Sequence, residues 1–167
     1  MSDRPSAFTT VMSRHALLLA PLLVAACASG PRYIRGTQVP DTVENRDILK
    51  VIEKYRIAVE RRDSSALLGM ASPQYFEDGG TPTGSDDYGY DGLREVLTSR
   101  FQKAEQIRFS MRYVSIRRQE NRAFVDVMVD ASYSVVTDRG VSRLDMRDQN
   151  QLVLEHDGRA WRFLSGM

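Results

Sequence analysis

The chain has 167 residues, of which 42% are hydrophobic and 27% are charged, a composition typical of one globular domain with a single core. Its 23 basic and 22 acidic residues nearly cancel, and phosphate binding needs a clustered basic excess, so we expect no nucleic-acid partner. Because the sequence holds one cysteine, it has neither a disulfide framework nor a cysteine metal cluster.

An apolar segment over residues 16–26 follows Arg14 near the start of the chain. As a helix it would span about 17 Å, roughly half of the hydrocarbon core of a bilayer, so it is too short to cross comfortably. A short apolar stretch after a basic residue is typical of a secretory signal peptide, which we predict over residues 1–26. Met12 begins a more compact form of the same signal.

The apolar segment ends in Val24-Ala25-Ala26-Cys27. This order resembles the lipobox of bacterial lipoproteins, in which small residues precede a cysteine that becomes the lipidated first residue. The resemblance implies that acyl chains on Cys27 hold the protein on a membrane of the cell envelope. The residue after the cysteine is Ala28, as in lipoproteins that are sent to the outer membrane. The resemblance therefore implies that the protein lies on the outer membrane and faces the periplasm. The alternatives are a free cysteine in an ordinarily cleaved signal and a buried N-terminal helix.

Residues 27–44 contain glycines and prolines among polar residues and show no apolar period. We therefore predict a flexible tether between the lipidated Cys27 and a folded domain over residues 45–167.

The folded domain is predicted to begin with two helices. Apolar residues recur at steps of three and four from Thr42 to about residue 62, which indicates a strong amphipathic helix. Asp63 or Ser64 caps a second, shorter helix, which Pro73 stops.

A short strand is predicted at residues 75–77, and a polar, glycine-rich loop over residues 78–90 follows it. Asp91 starts a third helix, with an apolar face of Leu93, Val96, Leu97 and Phe101. Beyond residue 106, alternating residues and turn signals predict long antiparallel strands over approximately residues 107–117, 122–137, 141–155 and 160–164.

Helices followed by a run of strands indicate an α+β fold in which three N-terminal helices pack on a curved, mostly antiparallel sheet. This order resembles the nuclear transport factor 2-like superfamily, a cone-shaped, cystatin-like fold also used by ketosteroid isomerase and many bacterial envelope proteins. The local marks of the resemblance are Tyr55, the segment from Arg61 to Leu68, the helix start at Tyr90-Asp91-Gly92-Leu93, and the terminal Trp161-Arg162-Phe163-Leu164.

In the second long strand, odd-numbered apolar residues alternate with Asp126, Asp130, Ser132 and Ser134, so the odd positions should face the core. The same alternation in the third strand places Asp148 and Asn150 among core-facing residues. A buried carboxylate without a partner is costly, so Asp148 should be hydrogen-bonded, paired or exposed in a cavity. A bulge that turns both side chains to water, or an ion pair between Asp148 and Arg56, would also explain the pattern.

One hypothesis is a small-molecule pocket inside the cone, for a small hydrophobic or polar ligand. Its predicted lining is Tyr55, Tyr75, Phe76, Tyr113, Asp148, Asn150 and Trp161. We predict no catalytic residue, because His156 lies at a hairpin turn and Asp148 alone could serve as a base. We also predict no cofactor and no metal, since the acids of the loop at residues 78–91 do not follow an EF-hand register.

The outward face of the sheet is predicted to carry charges of both signs. Such a face suits cross-strand pairing in water or a homodimer through the sheet, which is common in the superfamily. Its members are Arg108, Arg112, Arg118, Arg122, Asp126, Asp130, Arg143, Asp145 and Arg147.

Three functions remain open. The leading hypothesis is a lipid-anchored, non-catalytic module that binds a partner or a small ligand at the envelope. The alternatives are a small-molecule isomerase or dehydratase that uses Asp148, and a purely structural accessory lipoprotein.

Overall fold

The computed structural model describes residues 30–138 and 140–167 of the chain. Residues Pro31–Met167 form one unit of nine elements. In chain order these are α1 (Val43–Arg61), α2 (Ser64–Met70), β1 (Phe76–Glu77), β2 (Tyr88–Gly89), α3 (Tyr90–Lys103), β3 (Ala104–Gln119), β4 (Arg122–Thr137), β5 (Gly140–His156) and β6 (Trp161–Ser165).

Side-chain caps set where the first two helices begin. Thr42 is the N-cap of α1, and its hydroxyl accepts the backbone N–H of Asn45. Arg62 ends α1 in the left-handed conformation, with φ of 56°. Asp63 then caps α2 by accepting the N–H of Ala66, so a single turn separates the two helices, as predicted.

The four long strands form one antiparallel sheet in the order β3-β4-β5-β6, while β1 and β2 pair separately. The register between β4 and β5 is continuous from Arg122 opposite Glu155 to Thr137 opposite Gly140. By contrast, β6 pairs with β5 only over residues 153–156. The remaining length of β5 is therefore without a strand on its outer side within the described residues.

The helices cover one face of the sheet, where α1 and α3 pack on β3 and α2 packs on β6. The predicted α+β architecture is confirmed, and so is the prediction that the odd positions of β4 face the core. The core includes Ile48, Ile52, Leu67, Leu93, Val125, Val127, Leu152, Leu154 and Phe163.

The predicted tether needs a correction where the structure describes it. Residues 31–42 fold back on themselves, with a bridge between Tyr33 and Pro40 and a backbone hydrogen bond of 2.9 Å from Ile34 to Val39. Val39 is fully buried, and α1 begins at Val43. A single buried valine among polar residues has no periodicity, so the sequence pattern could not reveal this packing.

Two details of the sheet region also differ from prediction. The loop predicted over residues 78–90 contains β2, which pairs with β1. A register shift between Tyr113 and Ser115 leaves Val114 without a partner on β4. This bulge reverses the alternation, so Arg118 lies opposite Ala123 and leaves the predicted set of outward-facing charges.

Candidate functional site

The sheet face under the helices, termed the inner face, is built from rows of side chains that cross β3, β4 and β5. The cross-strand register defines the rows, because directly opposed residues point to the same side of a sheet. From one end to the other they are Ile107–Tyr133–Leu144, Phe109–Ala131–Met146, Met111–Val129–Asp148, Tyr113–Val127–Asn150 and Ile116–Val125–Leu152.

Burial changes sharply along these rows. Val125 and Leu152 are buried at 0% and 1% exposure, whereas Leu144 and Met146 are 47% and 45% exposed. The helices pack on β3 and β6, so no described helix covers the start of β5. We call the uncovered part, made of Tyr133, Leu144, Met146 and Asp148, the open inner face.

Asp148 lies on the inner face, as the alternation predicts. The pairing of β4 with β5 continues without a shift from Val127–Asn150 through Val129–Asp148, so the proposed bulge is wrong. Arg56 instead pairs with Glu53 and Glu60, both at 2.8 Å, so the proposed ion pair is wrong as well. The carboxylate of Asp148 is exposed and accepts the backbone N–H of Gln149 at 2.8 Å.

Asn150, one row deeper, takes part in a polar cluster that closes the inner face. Its Nδ2 donates to the carbonyl of Gly166 at 2.9 Å. Glu77 accepts two hydrogen bonds at one oxygen, from the Tyr75 hydroxyl at 2.6 Å and from the N–H of Gly166 at 2.7 Å. Met167 donates its N–H to the Tyr75 hydroxyl at 3.2 Å.

This cluster needs both a glycine and a protonated phenol. Gly166 has φ of 88°, and a Cβ there would collide with the backbone oxygen of Gln151, so glycine is required. Burial raises the pKa of Tyr75 far above the ordinary value, and the hydrogen bond to Glu77 raises it further. The Tyr75 hydroxyl therefore remains a donor at any physiological pH.

The other predicted pocket residues lie in separate places. Tyr55 is buried in the core between the rings of Phe109, at 5.9 Å, and Phe163, at 5.1 Å. Trp161 packs edge-on against His156 with ring centroids 5.2 Å apart. Phe76 is 53% exposed on β1.

Tyr113 is half-buried, and its hydroxyl donates to Glu53 of α1. Burial raises the pKa of Tyr113, and this hydrogen bond raises it further. The structure thus brings Tyr75 and Asn150 together and leaves Asp148 exposed beside them along β5. Tyr113 shares the row of Asn150 but bonds to α1, and the other three predicted residues lie elsewhere.

The acidic loop uses its side chains to shape its own backbone. Asp78 accepts the N–H of Gly80 at 2.8 Å, and Asp87 accepts the N–H of Gly79 at 3.3 Å. Among residues 30–138 and 140–167, no group of three histidine, cysteine or acidic residues is placed to hold a metal ion.

The outward face of the sheet carries local ion pairs. Arg147 contacts Asp130 directly across the β4–β5 ladder at 2.6 Å, and Arg143 contacts Asp145 at 3.0 Å along β5. An open groove of about 610 Å³ is lined by these charged residues, by Phe109, Ala131 and Met146 of the inner face, and by Arg56 and Glu60 of α1. Both ion pairs are largely exposed, so each adds little to stability.

The predicted lipidation site lies outside the described residues, as does the predicted signal peptide. In the part of the chain that the structure describes, no helix combines the length and apolarity that a membrane span requires.

Sequence patterns missed the role of three residues in this region. Leu144 and Met146 alternate as core residues do, so nothing in the pattern signals their exposure. Glu77, which anchors the polar cluster, appears in the sequence as an ordinary strand residue. In the sequence, the polar residues Asp148 and Asn150 within an apolar alternation are the feature that coincides with the boundary between the buried rows and the open inner face.

Three helices packed on one face of a four-stranded antiparallel sheet define this chain as an α+β protein with the nuclear transport factor 2-like fold. No family model matches the sequence, and no curated protein matches it significantly.

Solved structures share the fold at low sequence identity. A candidate dehydratase of the nuclear transport factor 2-like family from Streptomyces avermitilis has a TM-score of 0.61 at 14% identity, covering 73% of this chain and 92% of that chain. A candidate scytalone dehydratase from Novosphingobium aromaticivorans has a TM-score of 0.62 at 17% identity, with coverages of 72% and 79%. A protein from Kribbella flavida has a TM-score of 0.63 at 14% identity, with coverages of 73% and 86%.

Proposed function

We propose that the chain is a lipoprotein of the cell envelope, anchored through Cys27, whose folded domain binds a ligand on the open inner face. The order of residues 24–27 supports the anchor. The observation that carries the binding role is the pair of half-exposed apolar residues, Leu144 and Met146, beside the exposed Asp148 on a face that is buried at its other end. Such exposed apolar surface on a sheet is typical of a binding site.

The chemistry of this surface favours one class of ligand. Met146 adapts its shape readily, and Tyr133 and Leu144 extend the apolar floor. Asp148 adds a negative charge at one end of that floor. A ligand with an apolar body and a cationic or hydrogen-bond-donating group therefore matches both features.

Matched amphiphiles test the ligand site. Titration calorimetry with dodecyltrimethylammonium, below its micelle concentration, should show binding, and dodecyl sulfate should bind more weakly. Asp148→Asn should weaken the cationic probe about fivefold, because an exposed ion pair contributes about 1 kcal/mol. Asp145→Asn, three residues away on the opposite face, is the control and should change nothing. Equal binding of both probes to both variants would remove the proposed role of Asp148.

Cysteine substitution tests the anchor separately. In bacterial cells, Cys27→Ser should give unprocessed or soluble protein, whereas the parent should incorporate labelled fatty acid and sediment with membranes. A Cys27→Ser protein that is processed normally and stays membrane-bound would overturn the anchor without affecting the ligand site.

The second candidate function is isomerase or dehydratase chemistry with Asp148 as the base. The names of two structural neighbours, both candidate dehydratases, favour it. The exposure of the carboxylate argues against it, because acid–base catalysis uses a positioned group in dry surroundings. Water loss from β-hydroxy carbonyl compounds, followed by absorbance, would support this function if it depended on Asp148 and not on Asp145.

A further inference from the structure

The two outer edges of the sheet differ in how far other described elements cover and bond them. On the outer side of β3, α1 supplies side chains to the backbone: Arg56 donates to the carbonyl of Phe109 at 3.4 Å, and Glu60 accepts the N–H of Phe109 at 3.1 Å. Arg62 donates to the carbonyl of Ala104 at 2.6 Å. No described element lies along the start of β5, because β6 pairs with β5 only from Val153 onward.

The register identifies the backbone groups that face this uncovered edge. Phe109 turns its N–H and C=O away from β4, so Ala131 opposite it turns its own groups toward β5. Met146 lies opposite Ala131 and therefore bonds to β4. It follows that the odd-numbered residues of β5 between positions 141 and 147 turn their N–H and C=O groups to the edge.

The uncovered stretch ends at Asp148. The N–H of Gln149 also faces the edge, but the carboxylate of Asp148 already accepts it at 2.8 Å. The stretch available for pairing is therefore residues 141–147, and its central residue is Leu144.

The charges of this stretch are complementary between two copies that run antiparallel. In an antiparallel pairing of two copies centred on Leu144, Arg143 of each copy lies opposite Asp145 of the other. A register centred on Asp145 would instead oppose Arg143 to Arg147 and Asp145 to its own counterpart. A register centred on Met146 would need the N–H of Gln149, which is already bonded.

We propose that two copies of the chain pair edge to edge through residues 141–147 of β5, antiparallel and centred on Leu144, to form one continuous eight-stranded sheet. The pairing satisfies the edge N–H and C=O groups of Val141, Arg143, Asp145 and Arg147. It also places the two Leu144 side chains, each 47% exposed in one copy, side by side on the inner face. The inner face itself stays accessible, because pairing at the edge adds floor without covering it.

Cysteine cross-linking tests the register. In the full chain carrying Cys27→Ser, Leu144→Cys should form a disulfide-linked dimer on mild oxidation, because opposed residues have Cβ atoms about 4.5 to 5.5 Å apart. Met146→Cys is the matched control, since the two cysteines would then lie about 13 Å apart along the strands and should stay reduced. Met128→Cys, on the outward face, reports a face-to-face dimer.

Charge exchange tests the pairing without cysteines. In the Cys27→Ser chain, Asp145→Arg should raise the dimer dissociation constant about tenfold or more in sedimentation equilibrium, because it turns both cross-copy ion pairs into repulsions. The double exchange Arg143→Asp with Asp145→Arg should restore the parent value. Circular dichroism checks that each variant is folded.

Restored dimerisation in the double exchange together with a Leu144→Cys cross-link would support the proposal. A parent chain that is monomeric at all accessible concentrations would overturn it. Preferential cross-linking of Met146→Cys or Met128→Cys would also overturn it, because those positions report a different register or a face-to-face interface.

Discussion

The two ends of the inner face have the same residue pattern but different surroundings. Around Leu152, the side chains of β4 and β5 meet the helices and β6 and are fully buried. Around Leu144, the same alternation meets solvent, because the described helices pack elsewhere on the sheet. The comparison teaches that alternation selects the face of a strand, whereas the elements packed above that face decide whether it becomes core or binding surface.

Placing a carboxylate on the buried side of one row should cause the largest loss of stability. Val129 and Asp148 are directly opposed, yet Val129 is 4% exposed and Asp148 is exposed. Val129→Asp should lower the free energy of unfolding by about 3 to 5 kcal/mol, because the new carboxylate would be buried without a partner. Asp148→Val, measured alongside by urea unfolding, should change it by no more than about 0.5 kcal/mol. Similar losses in both variants would show that the row is covered on both sides.

Leucine truncation at the two ends should give the next largest difference. Leu152→Ala should cost about 2 to 5 kcal/mol, because it leaves a cavity against the helices. Leu144→Ala should cost less than about 1 kcal/mol, because water fills the space. Thermal and urea unfolding of the pair measure the contrast, and a large cost at Leu144 would contradict the open end.

The smallest effect concerns two exposed acids and depends on pH. The guanidinium of Arg162, together with the backbone N–H groups of Ala160 and Arg159, holds the pKa of Asp157 far below the ordinary value. A carboxylate with a lowered pKa stabilises the folded state above its unfolded pKa of about 4 and loses that contribution as the pH falls further.

Asp157→Asn should therefore lower the melting temperature at neutral pH, and the gap to the parent should narrow below about pH 4. Asp148→Asn is the control, because no arginine lies within ion-pair distance of Asp148 among the described residues, and its gap should be smaller at every pH. A gap for Asp157→Asn that does not change with pH would contradict the role of Arg162.

Much of the fold followed from local patterns. The apolar steps of α1, the caps at Thr42 and Asp63, and the alternation of β4 each predicted an element that the structure contains. The bulge at Val114 was not predictable, because it depends on how β3 meets its neighbour. The burial of Val39 was missed because a single apolar residue among polar ones has no periodicity.

The candidate site was predicted in part. The alternation correctly placed Asp148 and Asn150 on the inner face, and Asp148 is hydrogen-bonded as expected, whereas a ligand pocket around them stays a prediction. The aromatic lining was not assembled as expected: Tyr55 packs in the core, Tyr113 is tied to α1, and Phe76 is exposed. The spacing of these residues along the sequence does not show which of their rings lie close together in the fold.

By itself, the sequence determined the helices, the long strands and the face to which the residues of β4 and β5 point, because each depends on spacing or on a cap. Lipid attachment at Cys27 stays a prediction from a short motif. The tertiary structure alone decided that Leu144 and Met146 stay exposed and that, among the described residues, no strand pairs with the outer edge of the start of β5. Coverage of a sheet depends on where the helices and β6 end in space, and local periodicity does not encode that.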